Sequence, residues 1–152
     1  MATEQPQKTA LTAAMIAHLV LKPGAHSTES GKASLGMRVM EHLIHMFGQD
    51  VDAHYWRNAR LVLHVFVALA PLGVVSSASL RRTIKAFVDV LSSDGVSRDV
   101  ADPAADCVIE AMCRGGTDLI QPEPGALEAL PSAREEMDAI VAVSYTHLRA
   151  HE

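Results

Sequence analysis

His42 and His45 are three residues apart, a spacing that places two imidazoles on one face of a helix. With His18 or His64 from a neighbouring helix they could complete a ligand set for a divalent metal, as facing helices do in metal-binding bundles. The pattern stops short of a diagnostic one. There is no His-Glu-x-x-His, no Cys-x-x-Cys and no repeated Glu-x-x-His pair. Histidines at ordinary surface or partly buried positions are the plainer reading. A small His-rich metal-binding or enzyme domain built on His18, His42, His45 and His64 is its competitor.

Other candidates for chemistry are weaker. Cys107 lies inside "ADCVIEAMC", an apolar helical stretch in which a thiol is normally inert packing. "CRGGTD", Cys113 to Asp118, is glycine-rich but follows a helix instead of a strand, so it reads as a helix stop and not a phosphate loop. Glu135, Glu136 and Asp138 fall in the first turns of a helix, where negative charge suits the helix dipole. No catalytic residue, metal ligand or cofactor site is expected, and the chain reads as a non-enzyme. One surface feature stands out: Trp56, Arg57 and Arg60 near the start of one helix, and Arg81, Arg82 and Lys85 near the start of the next. These six form a candidate partner-contact patch, since Trp and Arg dominate interface hot spots and clustered cations attract acidic proteins or an RNA backbone.

The elements that must position these residues are helices. Apolar residues make up 49% of the chain and aromatics only 4%, a mixture that suits packed helices better than a β-sandwich. Residues 1–8 are polar and expected to be disordered. Helices are then expected at Thr9–Leu21, Ala33–Phe47 (stopped by Gly48), Ala53–Ala70 (capped by Asp52), and from Ser76 or Ser77 to before Gly95. The second carries Leu35, Val39, Leu43 and Met46 at helical spacing, and the apolar positions of the third include Leu61, Val65, Ala68 and Leu69. The fourth should bury Leu80, Ile84, Phe87, Val88 and Leu91, with Arg81, Arg82 and Lys85 off that stripe. A fifth helix runs from Ser97 to Cys113, and Pro103 demands either a start near Asp102 or a kink. "TDLIQPEPG" is a connector. A last helix follows Ser132, with Glu135 completing a capping box.

The odd-numbered helices start roughly 45 residues apart, within the range of HEAT-type repeats. The expected fold is therefore all-α, a truncated α-solenoid of about three antiparallel hairpins, with a compact bundle as the alternative. The net charge of −5 selects no partner class. The two cysteines, Cys107 and Cys113, cannot pair from one helix and fit a reducing compartment. The most apolar run, Leu61 to Val75, is too short to span a bilayer and contains His64 and Pro71, so no membrane association is expected.

The last ten residues, "VSYTHLRAHE" from Val143 to Glu152, show no cap, apolar period or turn signal. They are the translation of GTC TCT TAT ACA CAT CTC CGA GCC CAC GAG, a string that closely resembles the transposon-end adapter used in sequencing libraries. On that reading His147, His151, Tyr145 and Arg149 carry no function. Residues 9–142 form the helical-repeat fragment and 143–152 are adapter-derived.

Several stretches of the body resemble a known family. They are "TALTAAMIAHLVLK", "WRNARLVLHVFVALAPLGVVSSASL", "IKAFVDVLSSDGVSRDVAD", and "VIEAMCRGGTDL" followed by "LEALPSAREEMDAI". Together they resemble the first helical-repeat domain of nuclear cap-binding complex large subunits, a domain type named for the middle domain of translation initiation factor 4G. Met112, Cys113 and Arg114 stand where that family carries Leu-Pro-Trp, so its most recognisable tripeptide is absent. The resemblance implies a scaffold that supports a small RNA-recognition subunit and docks RNA-processing factors. Capped RNA would be held only indirectly. It also implies a nuclear protein that shuttles to the cytoplasm. No cap-binding residue carries over.

Overall fold

Ser34 and Ser76 show how local chemistry sets the frame. Each precedes a helix, and each hydroxyl accepts a backbone N–H three residues on, from Met37 at 3.3 Å and from Ser79 at 3.1 Å. Each cap satisfies a donor that the first helical turn leaves without a partner. The computed structural model describes residues 6–22, 34–92, 95–119 and 142, excepting the side chains of Pro6, Thr117 and Asp118. Among these, the helices are α1 (Pro6–Leu21), α2 (Leu35–Asp52), α3 (Trp56–Leu69), α4 (Ser77–Leu91) and α5 (Arg98–Gly115), followed by a 3₁₀ turn, Gly116–Leu119. The fold is all-α, and the described residues contain no strand.

The chain divides between Val74 and Val75 into two compact units. In the first, α1 packs against both α2 and α3, and α2 packs against α3. Its core holds Ala13, Ile16, Ala17 and Val20 from α1, Met40 and Phe47 from α2, and Ala59, Val62, Leu63, Phe66, Val67 and Leu69 from α3. Phe47 and Phe66 meet edge to face, their ring centroids 5.6 Å apart. Helices α1 and α2 come close at Gly36, where an added Cβ would come within 2.7 Å of the Leu19 and Val20 backbone. Only glycine permits that approach.

In the second unit α4 packs on α5, and the 3₁₀ turn packs on both. The buried residues of α4 are large: Leu80, Ile84, Phe87, Val88 and Leu91. Those of α5 are mostly small: Ala101, Ala104, Ala105, Cys107, Val108 and Ala111. Small residues on one helix leave room for the bulk of the other, as close packing requires.

Several expectations need correction. Pro6, Gln7 and Lys8 belong to α1, not to a disordered leader; proline suits the first helical position, where its missing N–H costs nothing. Helix α2 passes through Gly48 and ends at Asp52, so Asp52 caps nothing and α3 begins at Trp56 with no side-chain cap bond. The buried stripe of α2 is Gly36, Met40 and Phe47, leaving Leu35 and Met46 exposed. That of α3 includes Val62, Leu63, Phe66 and Val67, leaving Leu61 exposed. The α2 stripe lies one residue further round than expected, whereas in α3 the expected Leu69 is buried beside these four. Helix α5 starts at Arg98, not near Asp102, and Pro103 lies inside it. The amide proline lacks would have served the Asp99 carbonyl, on an exposed residue of the first turn where water can replace it. Thr117 to Leu119 form the 3₁₀ turn instead of an open connector. The capping box at Ser132 and Glu135, the acidic helix and the ten-residue tail lie outside the described residues.

Candidate functional site

The candidate patch begins at a turn. Helix α2 ends with the Tyr55 N–H donating to the Asp50 carbonyl at 2.7 Å and the His54 N–H donating to the Val51 carbonyl at 3.1 Å. This nested pair of bonds is a Schellman motif, whose left-handed position normally falls to glycine. Here His54 occupies it, with φ at 58°. The same bond pattern ends α3, where Val74 donates to Leu69 and Gly73 to Ala70, and there glycine does hold the left-handed position, at φ 73°. His54 makes up for its strain through a contact glycine could not make. Its ring stacks on the Trp56 indole, centroids 5.4 Å apart and planes within 12°.

This turn places Trp56 half-buried at the start of α3, with Tyr55 beside it 64% exposed. Arg57 is exposed and Arg60 half-buried on the same helix. The first unit thus presents an aromatic corner, His54-Tyr55-Trp56, flanked by arginine. Trp56, Arg57 and Arg60 stand out in the sequence, whereas His54 and Tyr55 join them only in the structure. The adjacent aromatics His-Tyr-Trp were the available signal.

The second unit holds the remaining three cations in different states. Arg81 is buried, contrary to its expected place off the buried stripe. Its Nη1 donates to the Leu119 carbonyl at 2.8 Å. A guanidinium on a buried backbone carbonyl is a strong bond, because the donor is charged and water is excluded. Arg81 therefore ties the 3₁₀ turn to α4 and presents no charge to a partner. Arg82 is exposed, and its Nε donates to the Ala78 carbonyl of its own helix at 3.4 Å; Lys85 is exposed. The accessible cations among the six are thus Arg57 in one unit and Arg82 and Lys85 in the other, with Arg60 half covered.

The four-histidine set does not assemble. His64 is buried at 2% exposure inside the first unit, while His18, His42 and His45 are exposed. His42 and His45 line an open concavity of about 650 Å³ along α2 with Leu35, Arg38, Val39, Glu41 and Leu43. Among the described residues no three His, Cys, Asp or Glu side chains come close enough to hold a metal ion. Cys107 is buried and Cys113 exposed, both as free thiols. Gly116 closes α5 with φ at 46°, its N–H on the Met112 carbonyl, as the helix-stop reading of "CRGG" requires. Among the described residues no helix is long and apolar enough to cross a membrane. No family model, no curated protein and no solved structure matches the chain.

Proposed function

We propose that the chain is a non-enzymatic scaffold that acts through protein–protein contacts in the processing and export of capped mRNA. In this reading it is part of a helical-repeat protein of the nuclear cap-binding large-subunit type. The observation that carries the scaffold reading is the placement of large apolar side chains on the outside of helices whose opposite faces are already packed. Leu11 and Met15 on α1 are 63% and 61% exposed, and Ile44 on α2 is 58% exposed. Isolated exposed apolar residues need no explanation, but rows of them on packed helices suit docking.

The finer architecture belongs to the same proposal. Each of α1, α2 and α3 touches the other two. A helical hairpin followed by the first helix of the next hairpin would show that contact pattern, which supports a truncated, HEAT-like solenoid of about three hairpins. The partners in this reading are the small RNA-recognition subunit and RNA-processing factors. Capped RNA is held indirectly, no cofactor is used, and the protein works in the nucleus and shuttles to the cytoplasm. Arg57 in the first unit, and Arg82 and Lys85 in the second, are exposed and each available for such contacts.

The test has two steps. The locus is re-read across Ala142 by a method that adds no transposon adapter, and the full product is expressed with an affinity tag. Further helical pairs beyond residue 142, together with recovery of 7-methylguanosine-capped RNA through the small RNA-recognition subunit, are the expected results. A stop codon directly after Glu152 overturns the truncated-solenoid reading. A full product that retains no capped RNA overturns the functional one.

A further inference from the structure

Helix α1 is apolar on two opposite sides. Ala13, Ile16, Ala17 and Val20 face the core of the first unit. Leu11 and Met15 point the other way and stand open, with Leu21 on their flank 55% exposed. A helix apolar all round is normally covered all round. The open side also has a register. Lys8, Leu11, Met15, His18 and Lys22 follow one another at spacings of three, four, three and four, and all five are exposed. Lys8, Leu11, Met15 and His18 thus follow the seam spacing of a coiled coil on α1, with the apolar pair at its middle, and Lys22 continues that spacing directly after the helix. Neither α1 nor Lys22, the residue after it, adds an acidic group: the helix reads PQKTALTAAMIAHLVL.

Charge decides among occupants. A second copy of α1 would bring lysine against lysine in either orientation, Lys8 on Lys8 or Lys8 on Lys22, which like charges oppose. An anionic membrane fits poorly, because interfacial helices carry a broad apolar face with aromatic anchors, and here the wide face is already buried. An amphipathic helix with acidic ends fits both parts of the stripe. We propose that the outer face of α1 docks an acidic amphipathic helix of a partner protein. The partner places apolar side chains on Leu11 and Met15 and carboxylates opposite Lys8 and Lys22. Those lysines are 14 positions apart, about 21 Å along a helix, so the partner carries its acids two heptads apart with heptad-spaced apolar residues between them. The inference rests on the scaffold reading only in taking the chain to act by contact; it does not depend on capped RNA.

The test uses the full chain and two labelled 21-residue alanine-based helical peptides. Both carry leucines at the inner heptad positions; one has glutamates 14 apart at the ends and the other has lysines there. Fluorescence anisotropy is expected to show saturable binding of the glutamate peptide, at least tenfold tighter than the lysine peptide. Leu11→Ala with Met15→Ala should weaken that binding at least tenfold. Lys8→Glu with Lys22→Glu should reverse the preference between peptides. All four side chains are exposed, and circular dichroism checks that each variant remains helical. Equal affinity for the two peptides, no saturable binding, or binding unchanged in the Leu11/Met15 variant overturns the proposal. So does self-association that the Leu11/Met15 variant abolishes, which identifies a second copy. Binding to phosphatidylserine vesicles that the same variant abolishes, with no peptide binding, identifies a membrane and overturns it too. Capped-RNA recovery that persists when peptide binding is absent sinks this inference alone.

Discussion

Gly36 and Gly48 lie twelve residues apart in one helix, and the same substitution should move stability in opposite directions at the two. At Gly36 an added methyl would meet the Leu19 and Val20 backbone at 2.7 Å, and backbone cannot swing aside as a flexible side chain can. Gly36→Ala should therefore cost about 1–3 kcal/mol through overpacking. At Gly48 nothing lies within 4 Å, so alanine meets no obstacle. Gly48→Ala should gain about 0.5–1 kcal/mol from the reduced freedom of the unfolded chain and better helix propensity. Urea denaturation of both variants measures the two signs; equal signs would mean that α2 does not approach α1 at Gly36. Nothing in the sequence distinguished the two glycines. Gly48 read as a stop because glycine often ends helices, and only the packing shows which glycine is needed. His54 supplies a second case at this scale. His54→Gly removes left-handed strain and the Trp56 stack together, so stability should stay within about 1 kcal/mol of the parent. His54→Val keeps the strain, worsens it by β-branching and loses the stack, and should cost about 1–2 kcal/mol. Trp56 is the one tryptophan in the chain, so its fluorescence reports the lost imidazole in both variants.

At the scale of elements, the fourth helix was the most legible. Its apolar residues are separated by polar ones, so the stripe Leu80, Ile84, Phe87, Val88 and Leu91 has one phase, and all five are buried. Helix α3 is almost continuously apolar from Leu61 to Ala70, so several phases satisfy the pattern equally. Its true phase is set by what it packs against, including Phe47, and that is tertiary information. Arg81 shows the same limit from the polar side. A cation beside an apolar stripe reads as solvated, and no local signal announces a carbonyl 38 residues later that will accept its proton. Arg81→Ala should leave the buried Leu119 carbonyl without that donor and cost about 1.5–3 kcal/mol. Arg82→Ala, one residue on and exposed, should stay within about 0.5 kcal/mol. Hydrogen exchange at residues 116–119 separates the mechanisms. Faster exchange there in the Arg81 variant alone is expected, and an unchanged rate would show that the turn holds without the guanidinium.

For the whole molecule, the all-helical class was legible from composition and the helical spacing of apolar residues, but the division into units was not. A repeat near 45 residues groups helices by their starting points, whereas the compact units are defined by which apolar faces share a core, and the boundary falls at Val74 and Val75. Each unit buries large side chains of its own: Leu63 and Leu69 in the first, Phe87 and Ile84 in the second, none more than 0% exposed. Truncating one core should therefore loosen its own unit first. Leu63→Ala should cost about 2–5 kcal/mol and Phe87→Ala about 3–5 kcal/mol, from lost burial plus the cavity left behind. If the units are separate cooperative blocks, exchange protection should fall across α1–α3 in the first variant and across α4–α5 in the second. The double variant should then show the sum of the two costs to within about 0.5 kcal/mol, as independent sites do. Protection lost throughout the chain in either single variant would mean that the two cores unfold as one. In a stacked solenoid the loss should instead fade with distance from the mutated core, because each repeat is held mainly by its neighbours. The exchange pattern of these two variants therefore separates independent units, a single cooperative body and a solenoid.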